Sequence, residues 1–131
     1  MAQTDIEAAV ARICGLASAS TLPGIETGTS YGTPSLRVQK KFLARIKDAT
    51  TLVIYCPLEE KDFLKEAAPD IYYETDHYKG WPGILVRLGA VGDDELAHRI
   101  EKAWRMRAGK RLISAHDRAK GAAAPGNLEV E

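Results

Sequence analysis

Five basic side chains lie between residues 37 and 47 of the chain, with no acidic residue among them. They are Arg37, Lys40, Lys41, Arg45 and Lys47. Lysine and arginine can neutralise nucleic-acid phosphates, and a two-stranded β-ribbon fits the major groove of DNA. Such contacts position a protein on DNA without reading its sequence. A hairpin formed by this segment would therefore present a DNA-binding surface. The alternative is that these basic side chains lie on a solvated outer face of the sheet.

A second candidate site is the aromatic and polar loop over residues 72–83. Its candidate ligand or partner contacts are Tyr73, His77, Tyr78, Lys79 and Trp81. Exposed rings beside a cation can stack on bases or line a small-molecule pocket. Alternatively the rings have a structural role and cover the open end of the sheet, because large rings contribute to stability mainly by being buried.

The sequence predicts neither an active site nor a metal site. Asp76 and His77 are adjacent, and adjacent side chains of an extended segment point apart. No serine or cysteine nucleophile stands at a recognisable turn. His98 and His116 have no metal-ligand spacing with each other or with either cysteine. We therefore expect a protein without enzyme activity, cofactor or metal, whose two cysteines are buried thiols.

Alternating side chains predict the strands that carry the basic residues. On the first of these strands, Leu36 and Val38 should face the core while Arg37 faces water. On the next, the same rule gives two opposite faces, one with Phe42, Ala44 and Ile46 and the other with Leu43, Arg45 and Lys47. Residues 52–55 are apolar on both sides and predict the most buried strand.

Helical spacing and turn signals predict three helices around these strands. The second helix follows Pro57, and its predicted core face carries Phe63, Leu64 and Ala67. The order is helix, three or four antiparallel strands, helix, two strands, helix. This order predicts an α+β two-layer sandwich, in which the helices cover one face of a curved antiparallel sheet.

Length and composition predict one soluble domain. The chain has 131 residues, of which 45% are hydrophobic and 27% charged. Its 18 basic and 18 acidic residues cancel, so overall charge gives no argument for nucleic acid. The absence of a membrane-spanning apolar run and of a secretory signal predicts a cytoplasmic protein. We expect one domain over residues 1–108, followed by an extension over 109–131 that is partly helical and then disordered.

Several blocks of the sequence, in order, resemble the MmcQ/YjbR family of small bacterial proteins. They include residues 29–38, 41–45, 52–57, 75–82, 85–88, 94–96 and 103–104. The resemblance implies a two-layer sandwich similar to the secretion-chaperone class, and a double-wing motif that binds DNA. It implies no catalytic residues. Lys40 stands where relatives commonly carry glycine in the hairpin, which adds a positive charge at the tip of a wing.

Two functions of different classes follow from these observations. The first is weak and largely sequence-independent DNA binding through the basic hairpin. The alternative is a non-enzymatic module that binds a protein or a small ligand with the aromatic loop, including the case of a homodimer. The sequence leaves both open.

Overall fold

The structure, a computed structural model, describes residues 2–30 and 32–123. The elements of this part of the chain, in order, are α1 (Ala2–Ala19), β1 (Ile25–Ser30), β2 (Thr33–Val38), β3 (Lys41–Asp48), β4 (Thr51–Tyr55), α2 (Leu58–Ala67), β5 (Tyr72–Tyr73), β6 (Gly83–Arg87), α3 (Asp93–Arg107) and α4 (Lys110–Ala123). A single 3₁₀ turn, Asp76–Tyr78, lies between β5 and β6.

The strands form one antiparallel sheet in the order β1-β2-β3-β4-β6-β5. Helices α1 and α3 pack on one face, here called the inner face, where Ile13 and Trp104 join the buried strand residues in one apolar core. The opposite, outer face carries a smaller apolar cluster around Val53 and Leu85. The predicted α+β two-layer sandwich is therefore confirmed. Strand β4 is buried over its first four residues, as its apolar run predicted.

The basic segment forms the predicted hairpin, from β2 into β3. Gln39 and Lys40 connect the strands with φ angles of 51° and 69°, while Val38 pairs with Lys41. A two-residue turn with positive φ at both positions matches the right-handed twist of its strands. Lys40 therefore occupies a left-handed position that favours glycine, at the exposed tip of the hairpin.

A bulge interrupts the pairing of β2 with β3. Leu36 pairs with Ala44, and the next residue of β2, Arg37, pairs with Phe42. Leu43 is thus an additional residue of β3 with no partner of its own on β2. An additional residue bends the strand and changes the alternation of its side chains.

The bulge makes part of the predicted alternation wrong. Leu43 is buried in the inner core beside Ala44 and Ile46, and not on the face of Arg45. Phe42 joins the cluster on the outer face instead of sharing the face of Ala44. Because of one unpaired residue, Phe42 and Arg45 lie on the same side of the sheet.

Helix α2 faces the protein with a different side from the one predicted. Its buried residues are Lys61 and Leu64, which are three positions apart and so lie on one helix face. Phe63 is 65% exposed, and Ala67 is exposed as well, so the predicted core face was right only for Leu64. The helix is oriented so that a lysine, and not a phenylalanine, points into the protein.

Helix α4 packs against the rest of the protein through its middle. His116 is buried, and its Nδ1 lies 3.1 Å from the carbonyl oxygen of Thr21. Its ring meets Trp104 edge to face, with centroids 5.1 Å apart. The sequence predicts a disordered end from Gly121 on, but the helix continues to Ala123. Residues 124–131 lie outside the described residues. None of the helices in the described ranges is long and apolar enough to cross a membrane.

Candidate functional site

Residues from both predicted sites meet in a cavity of about 570 Å³ on the outer face of the sheet. One side, the sheet wall, consists of Arg37, Phe42, Arg45 and Val53. The other side, the loop wall, consists of His77, Tyr78 and Trp81. Cavities of roughly 300–1,000 Å³ are typical of small-molecule sites. Cations from the hairpin and rings from the aromatic loop therefore form a single site, which the sequence did not show.

Arg45 connects the two walls. Its Nη1 donates to the hydroxyl of Thr33 at 2.9 Å, and its Nη2 donates to the hydroxyl of Tyr78 at 2.8 Å. Both of these acceptors are neutral groups, whereas the guanidinium carries a positive charge. The half-buried side chain thus holds a positive charge at a defined place in the cavity.

The rings of the cavity form a connected cluster. Trp81 meets Phe42 at a centroid distance of 5.5 Å and Tyr78 at 5.7 Å. His77 packs edge to face against Tyr78 at 4.9 Å. Tyr78 is buried, while Trp81 is 39% exposed. The structural role proposed for the rings thus applies to Tyr78, whereas Trp81 keeps ring surface open to a ligand.

Gly83 lets the indole of Trp81 lie directly against the start of β6. A Cβ atom at Gly83 would overlap Cζ3 of Trp81, far inside van der Waals contact. Only glycine leaves room for the ring at this position.

A buried lysine on α2 holds the loop wall, and sequence reasoning missed it. The side chain of Lys61 is 2% exposed, and its Nζ donates to the carbonyl oxygens of Tyr78 at 2.7 Å and Trp81 at 2.9 Å. The same Nζ lies 3.5 Å from Oε1 of Glu74. A buried ammonium requires such partners, because removing it from water without them is costly. The sole sequence signal was its spacing from Leu64.

Glu74 completes this anchor from β5's side of the loop. Its Oε1 accepts a hydrogen bond of 2.5 Å from Nζ of Lys65. That hydrogen bond, together with the charge of Lys61, holds the pKa of the Glu74 carboxyl below its usual value although partial burial opposes the shift. Glu74 is therefore ionised near neutral pH, between two lysines.

The remaining predicted site residues lie outside the cavity. Lys40 and Lys41 are exposed at the hairpin tip, and Lys47 is exposed near the other end of β3. Lys79 is exposed in the loop. Tyr73 is half-buried, with the guanidinium carbon of Arg87 stacked 4.0 Å from its ring centroid. Of the ten predicted side chains, the cavity thus brings together five: Arg37, Arg45, His77, Tyr78 and Trp81.

The YjbR family profile matches residues 20–106, which include the whole sheet and most of α3. The chain belongs to the YjbR family. Relatives named as uncharacterized proteins, from Mycobacterium bovis and from Mycobacterium tuberculosis H37Rv, are 40% identical over 47 residues. The matched segment is 36% of this chain and 36% of each relative, so the chain covers about a third of their length. No solved structure matches the chain.

In this YjbR-family chain the hairpin tip is anchored to the junction of α3 and α4. Gln39 accepts a hydrogen bond of 2.6 Å from the backbone N–H of Gly109 through its Oε1. Arg107 donates from Nε to the carbonyl oxygen of Phe42 at 3.0 Å, and its guanidinium stacks on Tyr55 at 4.4 Å. The tip is therefore a fixed surface and not a projecting arm.

The thiols and acids of the described residues form no metal site, and both thiols have raised pKa values. Among the described residues, no group of three or more histidine, cysteine or acidic side chains could hold a metal ion. Burial, with a contribution from Glu60, raises the pKa of the Cys56 thiol to about 11. Burial also raises the pKa of Cys14, which is half-buried. Both thiols are therefore protonated near neutral pH.

Proposed function

We propose that this YjbR-family chain is a cytoplasmic, non-enzymatic protein that binds DNA weakly and largely without sequence preference, through the basic hairpin. One observation carries the proposal. The tight turn and the bulge at Leu43 place Arg37 and Arg45 on the outer face of the same hairpin that exposes Lys40 and Lys41 at its tip. Cations grouped on one rigid ribbon can contact neighbouring phosphates together.

Two features support weak rather than tight binding. Glu26 on β1 lies directly opposite Arg37 on β2 in the strand register, so its negative charge lowers the local positive charge. The net charge of the chain is zero, so long-range attraction to DNA is small. Contacts to phosphates from lysine and arginine carry no base information, which supports binding without strong sequence preference.

A second candidate function uses the cavity for a small ligand or a protein side chain, including one from a second copy of the chain. The exposed ring of Trp81, beside the fixed charge of Arg45, supports it. Loss of a ligand or partner in a Trp81→Ala variant, without loss of duplex binding, is the result that would favour this function.

The test of DNA binding is fluorescence anisotropy of a labelled duplex of about 20 base pairs, titrated with the full chain at several salt concentrations. Four or five contacting cations predict a slope of about −3 to −5 in log affinity against log salt, at about −0.9 per phosphate contact. The double variant Lys40→Glu and Lys41→Glu removes two of these contacts. It should weaken binding and reduce the magnitude of the slope by about 2.

The matched control is Arg111→Glu with Arg118→Glu, which changes the net charge equally at two exposed positions of α4. A smaller loss in the control than in the hairpin variant supports the hairpin as the contact surface. Equal losses in both would reject the hairpin as the site. An unmodified chain that fails to bind the duplex at low salt would reject duplex binding through the hairpin.

A further inference from the structure

We infer that the cavity between the sheet wall and the loop wall is a binding site for an unpaired nucleotide, with the base against Trp81 and the phosphate at Arg45 and Arg37. The inference rests on the proposed function, because it assigns a substrate class to the same outer face. It goes further by predicting that single strands, with accessible bases, are preferred over duplex.

The two groups that an unpaired nucleotide requires occur side by side in the cavity. The exposed indole of Trp81 supplies a flat aromatic surface, and Phe42 supports it edge to face at 5.5 Å. Every base has an aromatic face, so stacking on such a ring is tolerant of sequence. The guanidinium groups of Arg37 and Arg45 belong to the same cavity and suit phosphate oxygens.

The hydrogen bonds around Arg45 prepare the phosphate position. The Tyr78 hydroxyl accepts from Nη2 of Arg45, so its own hydrogen remains available to donate to an anion. His77 stands next to Tyr78 on the exposed side of the cavity and supplies a further polar ring. Because Thr33 holds the other terminal nitrogen, Arg45 needs little reordering when an anion binds.

The position of Trp81 favours an unpaired base over a paired one. In a duplex both faces of a base are covered by its neighbours, and only its edges are accessible in the grooves. The indole lies against Gly83 and lines the same cavity as the sheet wall. A base must leave its stack to reach that ring, and this costs least in a single strand.

Tryptophan emission gives a direct readout of the site. The chain has two tryptophans: Trp81 in the cavity, and Trp104, which is fully buried and donates its indole N–H to the carbonyl oxygen of Pro23 at 2.9 Å. A stacked base should quench Trp81 and leave Trp104 unchanged. In a Trp81→Phe variant the remaining emission comes from Trp104 and reports whether the fold is intact.

The experiment titrates the full chain with four probes: a deoxyadenosine strand of about ten nucleotides, an abasic strand with the same number of phosphates, a duplex, and deoxyadenosine monophosphate. We expect the adenine strand to bind at least about tenfold more tightly than the abasic strand, and to quench Trp81 emission. If the monophosphate also binds, the site accepts free nucleotides. If the adenine strand binds and the monophosphate does not, further phosphate contacts on the hairpin are needed. Both results support an unpaired nucleotide in the cavity.

Variants assign the binding to the cavity. Trp81→Ala and Arg45→Met should each weaken binding of the adenine strand at least about tenfold, while Trp81→Phe should keep part of the affinity. The matched control is Phe63→Ala, which removes another exposed ring at a position outside the cavity. It should bind as the unmodified chain does.

The results that overturn this inference differ from those that overturn DNA binding. If the abasic and adenine strands bind equally, or if Trp81→Ala binds as the unmodified chain does, the nucleotide site is wrong while phosphate contact by the hairpin stands. If neither strand nor duplex binds, but the monophosphate binds and requires Trp81 and Arg45, the proposed DNA function fails and the nucleotide site stands.

Discussion

The sheet wall and the loop wall of the cavity are held by different kinds of interaction. Arg37, Phe42 and Arg45 lie on β2 and β3, strands that have a paired neighbour on each side in the sheet. Their positions follow from many backbone hydrogen bonds at once. The loop wall over residues 76–81 belongs to no strand, and the buried ammonium of Lys61 holds two of its carbonyl groups.

This difference predicts where the site is vulnerable. A sheet is held by many backbone hydrogen bonds between its strands, so removal of one side chain leaves the strands in register. A loop attached at a few points can open locally without unfolding of the domain. Substitutions should therefore disturb Trp81 mainly through Lys61, Gly83 and Glu74, and should leave the sheet wall in place.

The largest effect should come from Lys61→Met, which keeps the aliphatic part of the side chain but removes the ammonium. The carbonyl groups of Tyr78 and Trp81 lose their donor, and the carboxylate of Glu74 loses one of its two cationic neighbours. Breaking a buried charged contact of this kind costs about 3 kcal/mol of unfolding free energy. Urea unfolding should show this loss, and acrylamide should quench Trp81 more strongly in the folded state.

The control for this variant is Lys65→Met, which also removes a lysine partner of Glu74 from α2 but leaves the loop carbonyls bonded. Its side chain is 31% exposed, so the cost should be smaller. Equal stability of Lys61→Met and the unmodified chain would show that the loop wall has another anchor.

A smaller effect is expected from Gly83→Ala, which tests the contact between β6 and Trp81. The new methyl group would overlap the indole, so Trp81 must turn away from the strand, and overpacking of this kind costs about 1–3 kcal/mol. The measurements are urea unfolding and the emission maximum of Trp81, which should shift to longer wavelength as the ring becomes exposed.

Gly28→Ala is the matched control, because Gly28 also lies in a strand and its added Cβ would contact nothing within 4 Å. This control should be close to neutral in stability and emission. If Gly83→Ala behaves in the same way, the placement of the indole over Gly83 is wrong.

The sequence was sufficient for the features that depend on local patterns. The strand order along the chain, the hairpin with Lys40 at its tip and the YjbR-family blocks could all be predicted from alternation, turn residues and sequence similarity. Both groups of candidate residues were also recognised. Their types alone, a run of cations and a run of rings, were enough to single them out.

The sequence was not sufficient for features that depend on how segments meet. The bulge at Leu43 depends on how β3 pairs with its neighbouring strand, and no residue type in the sequence indicates it. Strict alternation therefore placed Phe42 on the wrong face. Similarly, Lys61 is buried because two carbonyl groups lie opposite α2, and these come from residues 17 and 20 positions further along. Both features help to bring the two candidate sites together in one cavity.

The smallest effect should be a loss of stability of the loop wall at acidic pH, while the sheet wall is unaffected. The hydrogen bond from Lys65, with the charge of Lys61, lowers the pKa of Glu74 in the folded chain below its ordinary value of 4.5. Its contribution to stability is therefore complete above pH 4.5 and is lost as the pH falls through the lower folded pKa. For an ion pair near the surface we expect less than about 1 kcal/mol. Acrylamide quenching of Trp81 at decreasing pH measures it, with Glu74→Gln as the comparison. In the Glu74→Gln variant acrylamide should quench Trp81 more strongly at neutral pH, and the quenching should change less as the pH falls. Identical pH profiles of quenching in the two proteins would mean that Glu74 does not hold the loop.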